Sequence, residues 1–385
     1  MSIEWTVLEL LTRGLCGAGD DERLAALLTA PELSWGELLE QAIRHKLIAS
    51  LAVQAELLPV ALPPRIGEHL ATVLNANRHR VRVLQEEACG LAKRLEAEGV
   101  LFAAVKGVVL ASSLYRDSGE RMMADVDFLI PPAEGPKVER ILEDAGFVAG
   151  HYDPASRSVV PFTRRELIEF RLNPYHLPHR IKLLDDPLVD HVDAGFATSL
   201  AWTRAGFEVP LEPLLAATRP VRVAGGWLPA LQPDAELLYG ALMLYKYASF
   251  ATYLDAGCDV CLAAFGDLVR LWKPSPPAPL PQAGEGRGLG GSVAEERVTY
   301  TPLPLAGEGP GVRALTWTLE HTDLLFGTCI LPSLGLRWEG SEDELHQVFF
   351  AGGRAVVQAG DFRCRLQSKD RRRLFAVPST EEVIA

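Results

Sequence analysis

Apolar residues recur at helical spacing over WGELLEQAIRHKLIASLAVQAELL (35–58), and Pro59, with Pro63 and Pro64 behind it, stops the pattern. A second amphipathic helix is predicted over 77–99, closed by Gly99. Residues 1–95 therefore read as a helical region. The pattern changes at 100. VLFAAVKG has the length and composition of a short buried strand, and VVLASSLY (108–115) suits a buried helix. RMMADVDFLI (121–130) is again strand-like, apolar apart from Arg121 and two acids. PPAEGPKVERILEDAGF (131–147) predicts a Pro-led turn and a helix that Gly146 caps. This strand–helix succession indicates an α/β or α+β sheet unit, placed at 96–210.

Within 156–196, SVVPFT, EFRLN and HRIKLL are strand candidates, Asp185-Asp186-Pro187 is a turn signal, and LVDHVDAGF is a further strand candidate. Residues 211–345 read as a C-terminal helical region. It holds two helices over 235–272, broken near Gly257, and another over 314–336. Between them, 273–314 is rich in Pro and Gly, nearly repeats PLPQAGEG as PLPLAGEG, and lacks apolar periodicity. Such a segment buries too little surface to offset its ordering entropy, so it reads as a disordered insertion. Residues 346–385 form a tail.

Composition narrows the class. The chain has 385 residues, 48% hydrophobic and 23% charged, which is globular. The net charge of −12 argues against long-range binding of a nucleic-acid duplex but leaves room for a local basic pocket. No apolar run of about 18 residues predicts a membrane span. The N-terminus lacks the cationic start of a secretory leader. Six scattered cysteines fit a reducing cytoplasm. Cys258-x-x-Cys261 has no second ligand pair at zinc spacing and reads as structural thiols.

The sharpest chemical feature is Asp125-Val126-Asp127. On a strand, alternate side chains share a face, so the two carboxylates project together while Val126 and Phe128 pack behind them. Such a pair repels itself unless hydrated, hydrogen-bonded or neutralised, and Mg²⁺ is a natural neutraliser. A bare D-x-D is also what two solvated acids on an edge strand look like. Upstream, Lys106-Gly107 marks a strand-to-helix turn, where free N–H groups and a lysine favour phosphate. Arg121 is a second candidate phosphate contact. His176, His179 and His191 cluster in sequence without a standard zinc spacing. They are expected in surface or hydrogen-bonding roles, with substrate contact as the alternative. No serine-hydrolase elbow, P-loop or kinase signature is present.

Lys106-Gly107, Leu114-Tyr115, Arg121 and Asp125-Val126-Asp127-Phe128-Leu129-Ile130 together resemble the uncharacterised bacterial nucleotidyltransferase family of the DNA-polymerase-β-like superfamily. The resemblance is densest over 98–148. It implies an α+β fold, a small mixed sheet with flanking helices, between the N- and C-terminal helical regions. It also implies two Mg²⁺ ions held by two carboxylates on one strand and a third on a later one. The reaction implied is transfer of an NMP group from an NTP to an acceptor: a small molecule, a protein or an RNA end. The third carboxylate falls in LVDHVDAGF and is either Asp190 or Asp193. Their positions differ by three, so on a strand they face opposite sides. Better-known relatives place Gly-Ser in this loop, whereas here Lys106 precedes Gly107 and Val108 follows it. Two alternatives accompany the enzyme reading: a catalytically degenerate nucleotide-binding or protein-interaction module, and a toxin–antitoxin-type protein modifier.

Overall fold

The computed structural model describes residues 2–14, 18–172, 174–202, 205–249, 260–272, 310–334, 336–337, 356–357, 366–368 and 375–376. Helices α1 (Ile3–Arg13), α2 (Ala18–Leu28), α3 (Trp35–Arg44), α4 (Ile48–Leu57) and α5 (Pro64–Ala97) come first. The single pattern over 35–58 is thus two helices. Lys46 takes a left-handed φ of 57° between them, and buried His45 is fixed there as its Nδ1 accepts the Leu262 N–H at 3.3 Å. Periodicity cannot reveal this break, because both helices keep an apolar face inward.

Helix α5 is the spine. Pro64 starts it with a preset φ, and Leu70, Leu74, Asn77, Val81, Leu84, Ala88, Leu91 and Leu95 recur every three or four residues on its buried face. Its polar side chains hold the loops around the sheet. Asn77 donates to the Gly119 carbonyl at 2.6 Å, and Gln85 to the Val108 carbonyl at 2.9 Å. Arg80 donates to the carbonyls of Met123 and Ala124, both at 3.1 Å, just ahead of Asp125.

The chain continues with β1 (Ala103–Val105), α6 (Gly107–Leu114), β2 (Asp125–Leu129), α7 (Gly135–Asp144), β3 (Val148–Asp153), β4 (Ser158–Pro161), α8 (Arg164–Leu172), β5 (Arg180–Leu183) and β6 (His191–Ala197). Then come α9 (Leu211–Ala216), β7 (Arg219–Val223), β8 (Gly226–Ala230), α10 (Pro233–Ser249), α11 (Leu262–Trp272), α12 (Pro310–Phe326) and α13 (Ile330–Ser333). Among the described residues β1–β8 form one mixed sheet in the order β4-β3-β5-β6-β2-β1-β8-β7. β2 lies centrally, antiparallel to β1 and parallel to β6. Phe128 and Phe196 stack at 5.1 Å beneath this pair, and Phe102 meets Phe128 edge-on at 5.9 Å. Both Phe128 and Phe196 are fully buried.

Two readings change. Of EFRLN, expected as a strand, residues Glu169–Leu172 end helix α8, and Asn173 lies outside the described residues. Thr163-Arg164-Arg165-Glu166 forms a capping box: the Thr163 hydroxyl accepts the Glu166 N–H at 3.3 Å, and the Glu166 carboxylate accepts the Thr163 N–H at 2.7 Å. Residues 219–230, expected within a helical region, form the β7–β8 hairpin, which joins the sheet beside β1. Pro220 and Pro229 obscured it, yet they pair with each other at the sheet edge. Gly225 supplies the turn's left-handed φ of 86°. The break near Gly257 and nearly all of the 273–314 insertion lie outside the described residues. α10, α11 and α12 flank these segments and pack on one another.

Candidate active site

The register of β2 and β6 assembles the site. Asp125 pairs with Asp193 and Asp127 with Gly195, so these four residues share one face of two adjacent parallel strands. Val126 and Phe128 face the opposite way, into the core. Asp193, in β6, is thus beside the pair. Asp190 precedes the strand, on the molecular surface. There Arg157 ion-pairs with it and the Tyr152 hydroxyl donates to it at 2.9 Å.

Asp127 is buried, and the Lys106 ammonium meets its Oδ2 at 3.0 Å. Burial opposes the charge on Lys106, but Asp127 outweighs it and holds the ammonium protonated. Lys106 adopts φ 60°, ψ −141°, a conformation rare outside glycine. Gly107 follows, and a Cβ there would lie 2.9 Å from the Met123 Cβ, so only glycine lets α6 start against this loop. Val109 and Leu110 N–H groups bond to the Lys106 carbonyl, and among the described residues no partner reaches the Gly107 and Val108 N–H groups at the helix start.

The Asp125 carboxyl is held above the usual carboxylate range, first by the charge of Asp127 and then by burial. Among the described residues no hydrogen bond or ion pair reaches that carboxylate. His179 Nδ1 lies 2.9 Å from Asp193 Oδ1. Burial opposes its charge, but this carboxylate raises it overall. His176 stacks on His179 with ring centroids 4.8 Å apart. Its Nδ1 must donate to the Leu177 carbonyl, 2.5 Å away, because a carbonyl only accepts. Burial, and next the neighbouring His179, push its pKa down to about 3, so the ring is neutral. Lys246 of α10 is lowered to about 8 by burial and then by the charge of Lys106.

Arg121 points elsewhere. Its guanidinium pairs with Asp267 of α11 at 2.8 Å, and the Tyr115 hydroxyl donates to the same carboxylate at 2.6 Å. His191 stacks on Tyr152 at 3.8 Å. Cys261 is half-buried, while Cys258 lies outside the described residues. Sequence reasoning left out Gly195, Lys246 and Arg80. Spacing gave no signal for them, since each meets the site only through sheet register or a distant helix.

A lysine, three aspartates and a helix start, set on adjacent strands of a mixed sheet, make a constellation suited to phosphate chemistry. The family model described as uncharacterised nucleotidyltransferase matches residues 31–264, more than half of the chain. The chain belongs to this family. The matched span of the nucleotidyltransferase runs from the turn before α3 into α11, so it takes in α3–α5 and α10 as well as the sheet. Membership implies a transferase with a nucleoside triphosphate substrate. No curated protein matches the chain. No helix among the described residues is long and apolar enough to cross a membrane.

Proposed function

We propose that this nucleotidyltransferase has a polymerase-β-like core and moves an NMP group from an NTP to an acceptor hydroxyl. Asp125, Asp127 and Asp193 would hold divalent Mg²⁺, two ions in the full site. The observation that carries this reading is the shared face of those three carboxylates across β2 and β6.

The donor set fits a hard cation. It offers carboxylate oxygens, and among the described residues Asp125 has no counter-ion in contact. Gly195 leaves open the space a Cβ would fill, 2.7 Å from Asp127 Oδ1. Among the described residues no three side chains are already posed as ligands, because Lys106 and His179 hold oxygens of Asp127 and Asp193. A cation would have to displace these two side-chain partners from the carboxylates. When bound, Mg²⁺ neutralises the acids and stabilises charge on the phosphate oxygens. Lys106, released from Asp127, pairs with the triphosphate, and the Gly107 and Val108 N–H groups donate to it. Lys246 adds positive charge on the α10 side. A carboxylate of the trio accepts the acceptor hydroxyl's proton.

The Lys106–Asp127 and His179–Asp193 pairs favour a second reading, a nucleotide-binding module without turnover, in which side-chain cations permanently replace the metal. Incubation with each NTP and Mg²⁺, read as pyrophosphate release, separates the two. The enzyme reading expects release that needs Mg²⁺ and disappears in Asp125→Asn/Asp127→Asn. NTP binding that ignores both the metal and that double variant would overturn it.

A further inference from the structure

The segment Tyr175-His176-Leu177-Pro178-His179 runs alongside β6 before β5 begins. Leu177 N–H bonds to the Phe196 carbonyl and Thr198 N–H to the Tyr175 carbonyl, each at 2.9 Å. His176 bridges to Ala197, whereas Arg180 pairs with Ala194. Four steps on this strand therefore match three on β6, which makes a one-residue bulge around Pro178. Proline, lacking an N–H, is suited to such a place. In an unbroken strand, residues three apart face opposite sides. The bulge cancels that alternation, so both His176 and His179 reach the Asp193 face, as their stacking shows.

The His176 ring is aimed as well as placed. With Nδ1–H on the Leu177 carbonyl, Nε2 carries the free lone pair. A Cβ on Gly195 would lie 3.3 Å from that Nε2 and 2.7 Å from Asp127 Oδ1. The imidazole nitrogen and the carboxylate oxygen thus border the same space over Gly195, and among the described residues no hydrogen-bond partner reaches Nε2.

We infer that His176 Nε2 is a nitrogen ligand of the divalent cation held by the carboxylates, which gives the site a preference for Mn²⁺-like cations over Mg²⁺. This rests on the carboxylate site proposed above. Neutral imidazole adds affinity for transition metals far more than for Mg²⁺, whose chemistry favours oxygen and water.

The test uses the full chain with Mn²⁺ alone, titrated by EPR and examined by pulsed EPR for ¹⁴N coupling. The unaltered protein is expected to bind Mn²⁺ with nitrogen coupling. His176→Gln should keep its thermal melt, lose the coupling, and lose Mn²⁺ affinity by roughly tenfold or more while Mg²⁺ affinity changes little. His176→Ala supplies the same reading if the glutamine variant does not fold. His179→Ala should keep the coupling. Bound Mn²⁺ without nitrogen coupling, or coupling that survives loss of His176, overturns the imidazole ligand and leaves the carboxylate site standing. Failure of the unaltered protein to bind Mn²⁺ or Mg²⁺ overturns both.

Discussion

Asp125 stands opposite Asp193 in register across the parallel β2–β6 pair. Like charges facing each other across strands destabilise a sheet, and Asp127 lies two residues along on the same face. Stability alone does not explain three acids here. The raised Asp125 carboxyl, pushed up first by Asp127, records the same repulsion.

Replacing Asp125 by Asn should therefore separate stability from activity. The variant removes one charge from the cluster and keeps the shape. Its melting temperature should equal or exceed that of the parent, with a gain of up to roughly 1 kcal/mol. Nucleotidyl transfer should fall by at least about 100-fold, the scale of losing a charge-stabilising group. A thermal melt beside a pyrophosphate assay decides it. A marked drop in melting temperature would show that Asp125 is a structural residue.

Lys106 combines a strained backbone with the Asp127 contact, and two substitutions resolve them. Lys106→Ala removes the ammonium and keeps a Cβ at φ 60°. Lys106→Gly removes the ammonium and relieves the strain, which costs on the order of 1–3 kcal/mol. The glycine variant should melt above the alanine variant. Both should bind NTP more weakly, by roughly tenfold, if the ammonium moves to the triphosphate. Equal NTP affinity in parent and variants would confine Lys106 to the ion pair with Asp127.

The sequence exposed the parts of this site that local spacing encodes. Asp125 and Asp127 share a face because strand alternation demands it, and Lys106-Gly107 lies where an apolar run gives way to a helix. The choice between Asp190 and Asp193 needed β6 to be laid against β2, and one register pair settles which acid neighbours Asp125. His176 was illegible for a related reason: a bulge at Pro178 changes its face, and simple alternation places it on the wrong side. The split at Lys46 and the hairpin at Gly225 were hidden by continuous periodicity and by two prolines. The Thr163-x-x-Glu166 box was present in the sequence and overlooked, as was the start of α5 at Pro64, ahead of the helix expected over 77–99.

Arg121 illustrates the opposite error, a cation near the acidic pair in sequence that serves another purpose. Arg121 and Asp267 are both largely buried, at 14% and 9% side-chain exposure. Arg121→Met should cost about 3–5 kcal/mol by leaving Asp267 charged and unpaired. Arg121→Met/Asp267→Leu should recover part of that loss, because an apolar pair replaces a costly buried charge pair while the Tyr115 hydroxyl loses its acceptor. KM for NTP should stay at the parent value in the double variant. A raised KM at unchanged stability would instead make Arg121 a phosphate contact.

Glu236 on α10 sets a pH dependence of stability outside the site. Its Oε2 accepts from Arg219 at 2.9 Å, while among the described residues its buried Oε1 has no hydrogen-bond partner. Burial raises its pKa to about 7 from an ordinary 4.5, against the opposing charge of Arg219. At low pH the carboxyl is protonated in both folded and unfolded chains, and its contribution is fully present. As pH rises from 4.5 towards 7, the unfolded chain gives up the proton while the folded one retains it, so unfolding gains ground. Above 7 the loss is complete, at most about 3 kcal/mol. Glu236→Gln cannot ionise, and its amide oxygen still accepts from Arg219. Subtracting parent from variant cancels the titration of every other group. Denaturant unfolding of both proteins at pH 4.5, 6 and 8 should therefore show the variant's relative stability growing with pH and levelling above 7. A difference that stays constant across that range would mean that Glu236 is ionised in the folded protein throughout and that Arg219 fully offsets its burial.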